Sequence, residues 1–135
     1  MNDKPFFDTN ILVYAIAIDE PRTAIARRLL STGGRISVQV LNEFASVFRG
    51  KFRKSWSVTE AALAEVRALL DPPLPLTVET HEMAIALARK HNFHIYDALI
   101  VASALQAGCS TLITEDMADG MTIGNLTIRN PFRVT

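Results

Sequence analysis

Short apolar runs alternate with longer segments of helical periodicity along the chain. Phe6-Phe7 predicts a buried strand, and the apolar run that begins near Ile11 predicts a short helix. Further strands are predicted at residues 35–38, 74–78, 110–114 and 126–128. Between them apolar residues recur at helical spacing, as Val40, Phe44 and Phe48 do. Strands separated by helices in this order predict an α/β fold, with a central parallel sheet and helices on both faces.

Several helix boundaries carry capping signals. Asp19-Glu20-Pro21 predicts the start of the second helix, because acids precede a proline in its first turn. Ser57 and Glu60 have the spacing of a capping box, which predicts the start of the fourth helix. Two later helices are predicted at about residues 80–91 and 96–107, and residues 115–125 are predicted to form a polar loop.

Composition limits the number of domains and the kind of partner. With 135 residues, 49% of them hydrophobic, residues 1–135 are expected to form one domain. The 14 basic and 14 acidic residues balance, so a polyanion would have to be attracted by a local patch. The single cysteine favours a reducing cytoplasm.

Targeting segments are not expected. Ala15-Ile16-Ala17 imitates a signal-peptidase site, but Asp3 and Asp8 interrupt the charge and apolar pattern of a signal peptide. No apolar run approaches the roughly 20 residues that a membrane-spanning helix needs. A cytoplasmic protein without membrane contact is therefore expected.

Two acidic residues follow predicted strands directly. Asp8 comes after the first strand, and Asp116 follows the strand at residues 110–114. In parallel sheets the ligand site lies beyond the carboxyl ends of the strands, so these acids should reach the same edge. Glu43 borders the apolar face of its helix, and Asp97 opens the most apolar helix of the chain. Both are expected at the rim of the core.

Each acid also has a purely structural explanation. Asp8 could cap the following helix, and Asp97 could be favoured by the helix dipole. Glu43 could extend to water or pair with an arginine, and Asp116 could be a turn former. The case for chemistry depends on all of them converging.

Converging carboxylates would bind a hard divalent cation. A close pair repels by roughly 4 kcal/mol at an effective dielectric of about 20, and a cation removes that cost. Carboxylate oxygens are ligands that Mg²⁺ or Mn²⁺ prefers, whereas the scarcity of histidine and cysteine argues against zinc. Such a site suits the hydrolysis of phosphodiester bonds.

The ordered motifs resemble those of a known family. In chain order they are Phe7-Asp8-Thr9-Asn10, Asn42-Glu43, Tyr96-Asp97-Ala98, Leu112-Ile113-Thr114-Glu115-Asp116 and Asn130-Pro131-Phe132. Together they resemble the PIN-domain ribonucleases, and among these the VapC-type toxins of toxin-antitoxin pairs. The resemblance spans nearly the whole chain and implies a three-layer α/β/α sandwich with a Mg²⁺ or Mn²⁺ site.

The resemblance also assigns residues. Asp8, Glu43, Asp97 and Asp116, called the acidic quartet below, match the catalytic acids of the family. Supporting roles at the site fall to Asn10, Thr114 and Asp119. Glycine stands at position 120, where the family often has an aromatic residue, so the roles of Asp119 and Glu115 remain open.

The implied activity is that of a metal-dependent endoribonuclease. Asp8, Asp97 and Asp116 would hold one or two cations, and Glu43 would complete the metal site or orient the attacking water. The family further implies a toxin that a cognate antitoxin protein inhibits, and a homodimer. Two alternatives are a metal-dependent phosphatase and a PIN-like module that binds RNA or a partner without catalysis.

A cationic run follows the helix that bears Glu43. Arg49, Lys51, Arg53 and Lys54 surround Phe52, and Trp56 follows shortly after. These cations could hold RNA phosphates while an aromatic ring stacks on a base. The alternative is a solvated helix end, where cations are favoured by the helix dipole.

Overall fold

The computed structural model describes residues 3–17 and 20–133. Six helices and four strands make up this part of the chain. In order they are β1 Phe6–Phe7, α1 Thr9–Ile16, α2 Pro21–Ser31, α3 Val38–Gly50, α4 Trp56–Leu69, α5 Val78–His91, α6 Ile95–Gln106, β2 Thr111–Ile113, β3 Thr122–Ile123 and β4 Leu126–Arg129. Helices packed around a mostly parallel central sheet confirm the predicted fold class.

The sheet has the order β1-β2-β4-β3. β1 pairs with β2 and β2 with β4, both in parallel. β3 pairs with β4 in the antiparallel sense, so the sheet is parallel except at this edge. β3 lies in the predicted polar loop, where the two-residue turn Gly124-Asn125 reverses the chain, with a positive φ of 58° at Gly124.

Two predicted strands shrink to isolated bridges. Residues 35–38 contribute one bridge from Arg35 to Phe6 and one from Ser37 to Leu74. Ser37 ends the extended segment because it caps α3, and its hydroxyl accepts from the Val40 amide. Residues 74–78 cannot extend the pairing, because prolines on both sides of Leu74 lack the amide hydrogen that a ladder needs.

Helix starts agree with the sequence at some positions and differ at others. The start of α2 at Glu20-Pro21 is confirmed, while Asp19 lies outside the described residues. The capping box predicted at Ser57 is wrong. α4 begins earlier, because the Ser55 hydroxyl already accepts from the Val58 amide at 3.2 Å.

The core surrounds the parallel strands. Phe6, Phe7 and Leu112 are fully buried together with Phe44 of α3 and Val101 of α6. A smaller apolar cluster joins α5 to α6 through Ala84, Ala98 and Ala102. Packing on both sides fixes the ends of β1 and β2 and the start of α6, which are the positions that carry acids. No helix in the described part of the chain is long and apolar enough to cross a membrane.

Candidate active site

Asp8 lies at the carboxyl end of β1 and is almost completely buried. Its backbone amide donates to the carbonyl of Ile113, which extends the pairing with β2 by one residue. Oδ1 accepts from the Thr9 amide at 2.7 Å and thus caps α1. Oδ2 accepts from the Thr114 hydroxyl at 2.8 Å. Oδ1 therefore caps the following helix, which is the purely structural role considered for Asp8 from the sequence. Oδ2 instead links the end of β1 to the end of β2.

Asn10 and Thr114 connect the start of α1 to the loop after β2. The side-chain Nδ2 of Asn10 donates to Asp116 Oδ2 at 2.9 Å and to the Thr114 hydroxyl at 3.3 Å. The Thr114 hydroxyl also accepts from the Asp116 amide at 3.1 Å. These bonds place Asp116 beside Asp8, as the strand-end rule predicted.

Glu43 projects from α3 toward the same edge and is half-buried. Its Oε1 accepts from the Thr9 hydroxyl at 3.4 Å, and its Oε2 accepts from the Gln39 amide at 2.9 Å. Sequence reasoning missed both partners. The position of Gln39 four residues before Glu43 was an available signal, because such pairs meet on one helix face.

Asp97 occupies the first turn of α6 and is half-buried. Among the described residues its carboxylate accepts no hydrogen bond from another side chain or from the backbone. Burial raises its pKa, and the charge of Asp116 raises it further, against an opposing effect from His94. Asp97 is thus held near Asp116 by its position on the helix and not by a hydrogen bond.

The quartet is electrostatically coupled. Burial raises the pKa of Asp8 from 3.8 to about 7, against the hydrogen bonds from Thr114 and Thr9, and the charges of Glu43 and Asp116 raise it further. The pKa of Glu43 is raised first by burial and then by the charges of Asp97 and Asp116. Each acid therefore lies within electrostatic range of at least two others. This is the mutual repulsion that the sequence predicted for converging acids.

The donor chemistry of the quartet fits a hard divalent cation. All of the donor atoms are carboxylate oxygens, and all four acids are brought to one edge of the sheet by different elements. Positive charge placed among them would reverse the repulsion that raises their pKa values. Within residues 3–17 and 20–133, however, no three acidic, histidine or cysteine side chains already stand together as a metal-binding group.

Two further acids near the quartet are engaged elsewhere. Glu115 accepts from the Tyr14 hydroxyl through Oε1 and from Arg22 at 2.8 Å through Oε2. Asp119 accepts from the Asn130 amide at 2.9 Å and lies 3.8 Å from the Arg133 guanidinium. Glu115 thus forms an ion pair with Arg22 on the wall of the acid site. Asp119 stabilises the segment after β4 through its hydrogen bond with Asn130.

Two clefts open at the quartet. The first, which we call the acid cleft, has a volume of about 270 Å³ and is lined by Asn10, Glu43, Lys51 and Asp116 among others. The second, which we call the α3–α6 groove, has a volume of about 550 Å³ and shares Glu43 with the first. A third cavity of about 390 Å³, lined by Arg27, Leu30 and Leu69, contains no member of the quartet.

The predicted cationic run divides in the structure. The Arg49 guanidinium lies 4.4 Å over the Trp56 ring and donates to the Lys54 carbonyl at 2.8 Å. Phe52 is partly buried and packs edge-on against Phe48. Lys51 alone among these four cations lines the acid cleft. The sequence could not show which of the four cations lines the cleft, because all four have the same local context. That distinction depends on tertiary structure.

Comparisons with known proteins identify a family and a shared fold. The family model described as PIN domain matches residues 6–118, a range that includes the whole quartet. No curated protein sequence matches the chain.

Three solved structures share the fold. A toxin-antitoxin complex from Klebsiella pneumoniae gives a TM-score of 0.70 at 21% identity, covering 96% of this chain and 99% of its own. VapC20 of Mycobacterium tuberculosis, described as a Sarcin-Ricin loop cleaving toxin, gives 0.66 at 21% identity, covering 80% and 86%. VapBC2 from Rickettsia felis, bound to a DNA fragment from its promoter, gives 0.67 at 22% identity, covering 93% and 97%.

Proposed function

The chain belongs to the PIN domain family, and from this premise we propose that it is a metal-dependent endoribonuclease. The observation that supports the proposal most is the convergence of Asp8, Glu43, Asp97 and Asp116. They come from the end of β1, from α3, from the first turn of α6 and from the loop after β2. Four acids drawn from four elements into mutual electrostatic range destabilise the fold, so their presence is explained by a ligand of opposite charge.

The metal ligands in this proposal are Asp8, Asp97 and Asp116. When bound there, Mg²⁺ or Mn²⁺ would supply positive charge for a phosphate oxygen and lower the pKa of a coordinated water. Asn10 and Thr114 hold the Asp8 and Asp116 carboxylates in register through the bonds described above. Water attack on the phosphorus with departure of the 3′ oxygen would leave a 3′-hydroxyl end.

Glu43 is suited to orient the attacking water and take its proton. Gln39 and Thr9 fix the direction of its carboxylate. Glu43 also lines the acid cleft, where the attacking water would lie in this proposal.

The toxin assignment rests on the structural relatives. One relative is a toxin-antitoxin complex and another is a VapBC pair, so we extend to this chain an antitoxin partner. Two further parts of the proposal come from the family resemblance of the sequence motifs: the antitoxin covers the acidic quartet, and the chain forms a homodimer in the cytoplasm. The test is growth of a host that expresses the wild-type chain or the Asp97→Asn variant. Growth arrest only with the wild-type chain supports a toxin, and equal growth with soluble expression of both contradicts it.

An RNA-binding module without catalysis is the second candidate. It is favoured by one observation, namely that the described acidic side chains do not yet stand together as a three-ligand group. Titration with Mn²⁺ separates the two candidates. A nuclease binds Mn²⁺ and cleaves RNA, whereas a module of the second kind binds RNA equally well with and without metal. Release of inorganic phosphate from monoesters would instead indicate a phosphatase.

Lys51 is expected to contribute to RNA binding more than Arg49 does. Lys51 lines the acid cleft, and its ammonium has only a longer contact with the Phe52 ring, at 5.8 Å from the centroid. Arg49 lies 4.4 Å from the Trp56 centroid and also donates to the Lys54 carbonyl. Lys51→Ala should weaken RNA binding several-fold at low salt and reduce the slope of log K against log salt by about one. Arg49→Ala is the matched control, and fluorescence anisotropy across a salt series is the measurement. Equal losses from both substitutions would contradict this assignment.

A further inference from the structure

The α3–α6 groove lies directly beside the acidic quartet. Asn42, Glu43 and Ser46 line one side from α3, and Tyr96 lines the other from the first turn of α6. Its volume of about 550 Å³ falls within the range of small-ligand sites, which is roughly 300–1,000 Å³. Glu43 and Val47 line both this groove and the acid cleft, so the two cavities are adjacent.

Tyr96 presents an exposed aromatic ring at this position. Tyr96 is 54% exposed, and the next residue in the chain, Asp97, belongs to the quartet. Its hydroxyl has no hydrogen-bond partner among the described residues, and its ring meets only His94, at 5.4 Å between centroids with a tilt of 40°. One face of a large amphipathic side chain is thus available beside the reacting groups.

The other aromatic residues considered for base stacking already contact neighbouring groups. Tyr14 carries the Arg22 guanidinium on its ring and packs against Phe132. Trp56 carries the Arg49 guanidinium, and the expectation that Phe52 would stack on a base is not favoured because Phe52 packs against the core. Tyr96 is the ring that lies both exposed and in a groove containing an acid of the quartet.

The opposite wall offers polar edges. Asn42 and Ser46 are exposed on α3, four residues apart and therefore on one face. Neither side chain has a hydrogen-bond partner in the parts of the chain that the structure describes. A carboxamide and a hydroxyl opposite an aromatic platform form the combination that recognises an unpaired base, by stacking on its face and by hydrogen bonds to its edge.

We propose that the α3–α6 groove is a binding site for one unpaired RNA base next to the cleaved phosphate, with Tyr96 as its stacking platform and Asn42 and Ser46 at the base edge. This inference rests on the proposed ribonuclease function and deepens it. A paired base cannot enter such a groove without leaving its helix, so the enzyme would select phosphates in loops, bulges or single strands.

The test measures binding apart from cleavage. A fluorescent single-stranded RNA of mixed sequence is titrated with the protein in the presence of chelator, where no metal-dependent cleavage occurs. Tyr96→Ala should raise Kd by roughly 5- to 100-fold, the loss expected when one base loses its aromatic platform. Tyr96→Phe should bind within about 3-fold of the wild type, because it keeps the ring. Trp56→Ala is the matched control, since Trp56 is a 60% exposed aromatic outside both clefts.

A second arm locates the base. RNAs with a single abasic nucleotide at successive positions are compared on wild-type protein and on Tyr96→Ala. At one position, removal of the base should weaken RNA binding to the wild type. The same removal should weaken binding to Tyr96→Ala little or not at all, because the contact between ring and base is already lost in that variant. Absence of any such position in a folded variant would overturn the proposal. The proposal would also be overturned if Tyr96→Ala changed the oligomeric mass of the protein and left its RNA affinity unchanged. That result would indicate that the groove contacts another protein chain.

These outcomes separate the inference from the function beneath it. RNA binding through Tyr96 by a chain that cleaves nothing would preserve the base site and refute the nuclease. Metal-dependent cleavage that is equal in wild type and Tyr96→Ala, with equal Kd, would preserve the nuclease and refute the base site.

Discussion

Replacing Asp97 with asparagine should reduce metal-dependent RNA cleavage by at least about 100-fold while the fold stays intact. The substitution is nearly isosteric, and within the described structure no hydrogen bond depends on the carboxylate. What it removes is one negative charge from a site that needs several to hold a divalent cation. Loss of an outer-shell partner of a metal ligand typically costs roughly 10- to 100-fold in metal affinity or activity, so loss of a ligand itself should cost at least the upper end of that range.

The matched control is Glu79→Gln. Glu79 is an acid in the first turn of α5, so it has the same relation to a helix dipole as Asp97 has in α6, but it lies outside both clefts. Its substitution should leave cleavage within about 2-fold of the wild type. If Asp97→Asn also retains cleavage within a few-fold, with contaminating nuclease excluded by an Asp8→Asn preparation, the assignment of Asp97 is wrong.

Replacing Asp8 with asparagine should have opposite effects on activity and on the stability of the metal-free protein. The pKa of Asp8 is raised to about 7 in the folded chain, from 3.8, mainly by burial. The folded state therefore holds this proton more tightly than the unfolded state does. As a result the free energy of unfolding falls as pH rises from about 4 to about 7, by up to roughly 4 kcal/mol from this group alone. Glu43 and Asp97, whose pKa values are also raised, add in the same direction.

Asp8→Asn removes this penalty. At pH 8 without metal the variant should unfold several degrees above the wild type, and at pH 4 the difference should vanish or reverse. Adding Mn²⁺ at pH 8 should stabilise the wild type and leave the variant unchanged, because bound cation favours the ionised carboxylate. Cleavage by the variant should be lost. Thermal unfolding at both pH values, with and without Mn²⁺, measures all of these effects.

The control for Asp8 is Asp71→Asn. Asp71 is a partly buried acid that pairs with Lys4 at 2.9 Å, and Lys4 precedes β1, at the end opposite Asp8. Its loss should not change the response to Mn²⁺. A wild-type protein that is equally stable at pH 4 and pH 8 and unaffected by Mn²⁺ would refute the account of Asp8.

The edge that holds the quartet could be predicted from the sequence because its cause is local. Asp8 and Asp116 follow buried parallel strands, and the carboxyl ends of such strands meet at one edge whatever the details of the helices. Asp97 could be placed because its helix is apolar almost all round and hence central. These inferences depend on which segments are buried, and the pattern of apolar residues in the sequence predicts that well.

Most of the features that were missed depend on tertiary contacts. The pairing of Glu43 with Thr9, the ion pair of Glu115 with Arg22, and the choice of Lys51 over Arg49 arise from residues distant in sequence or from competing partners. The bond from Gln39 to Glu43 is the exception, because its spacing of four residues on one helix could have predicted it. The strand predicted at residues 74–78 is too long, because the prediction followed the apolar pattern and gave too little weight to the prolines. β3 was missed because its two residues lie between glycines in a polar segment.

The central claim is that the quartet holds a divalent cation and cleaves RNA with it. The measurement that tests it most directly is the incubation of a mixed pool of structured RNAs with purified wild-type protein in Mg²⁺, in Mn²⁺ and in chelator, followed by mapping of the fragment ends. Discrete fragments with 3′-hydroxyl ends are expected, and they should form only when metal is present. Cleavage that persists in chelator, or none in any condition from folded protein free of an antitoxin, would contradict it.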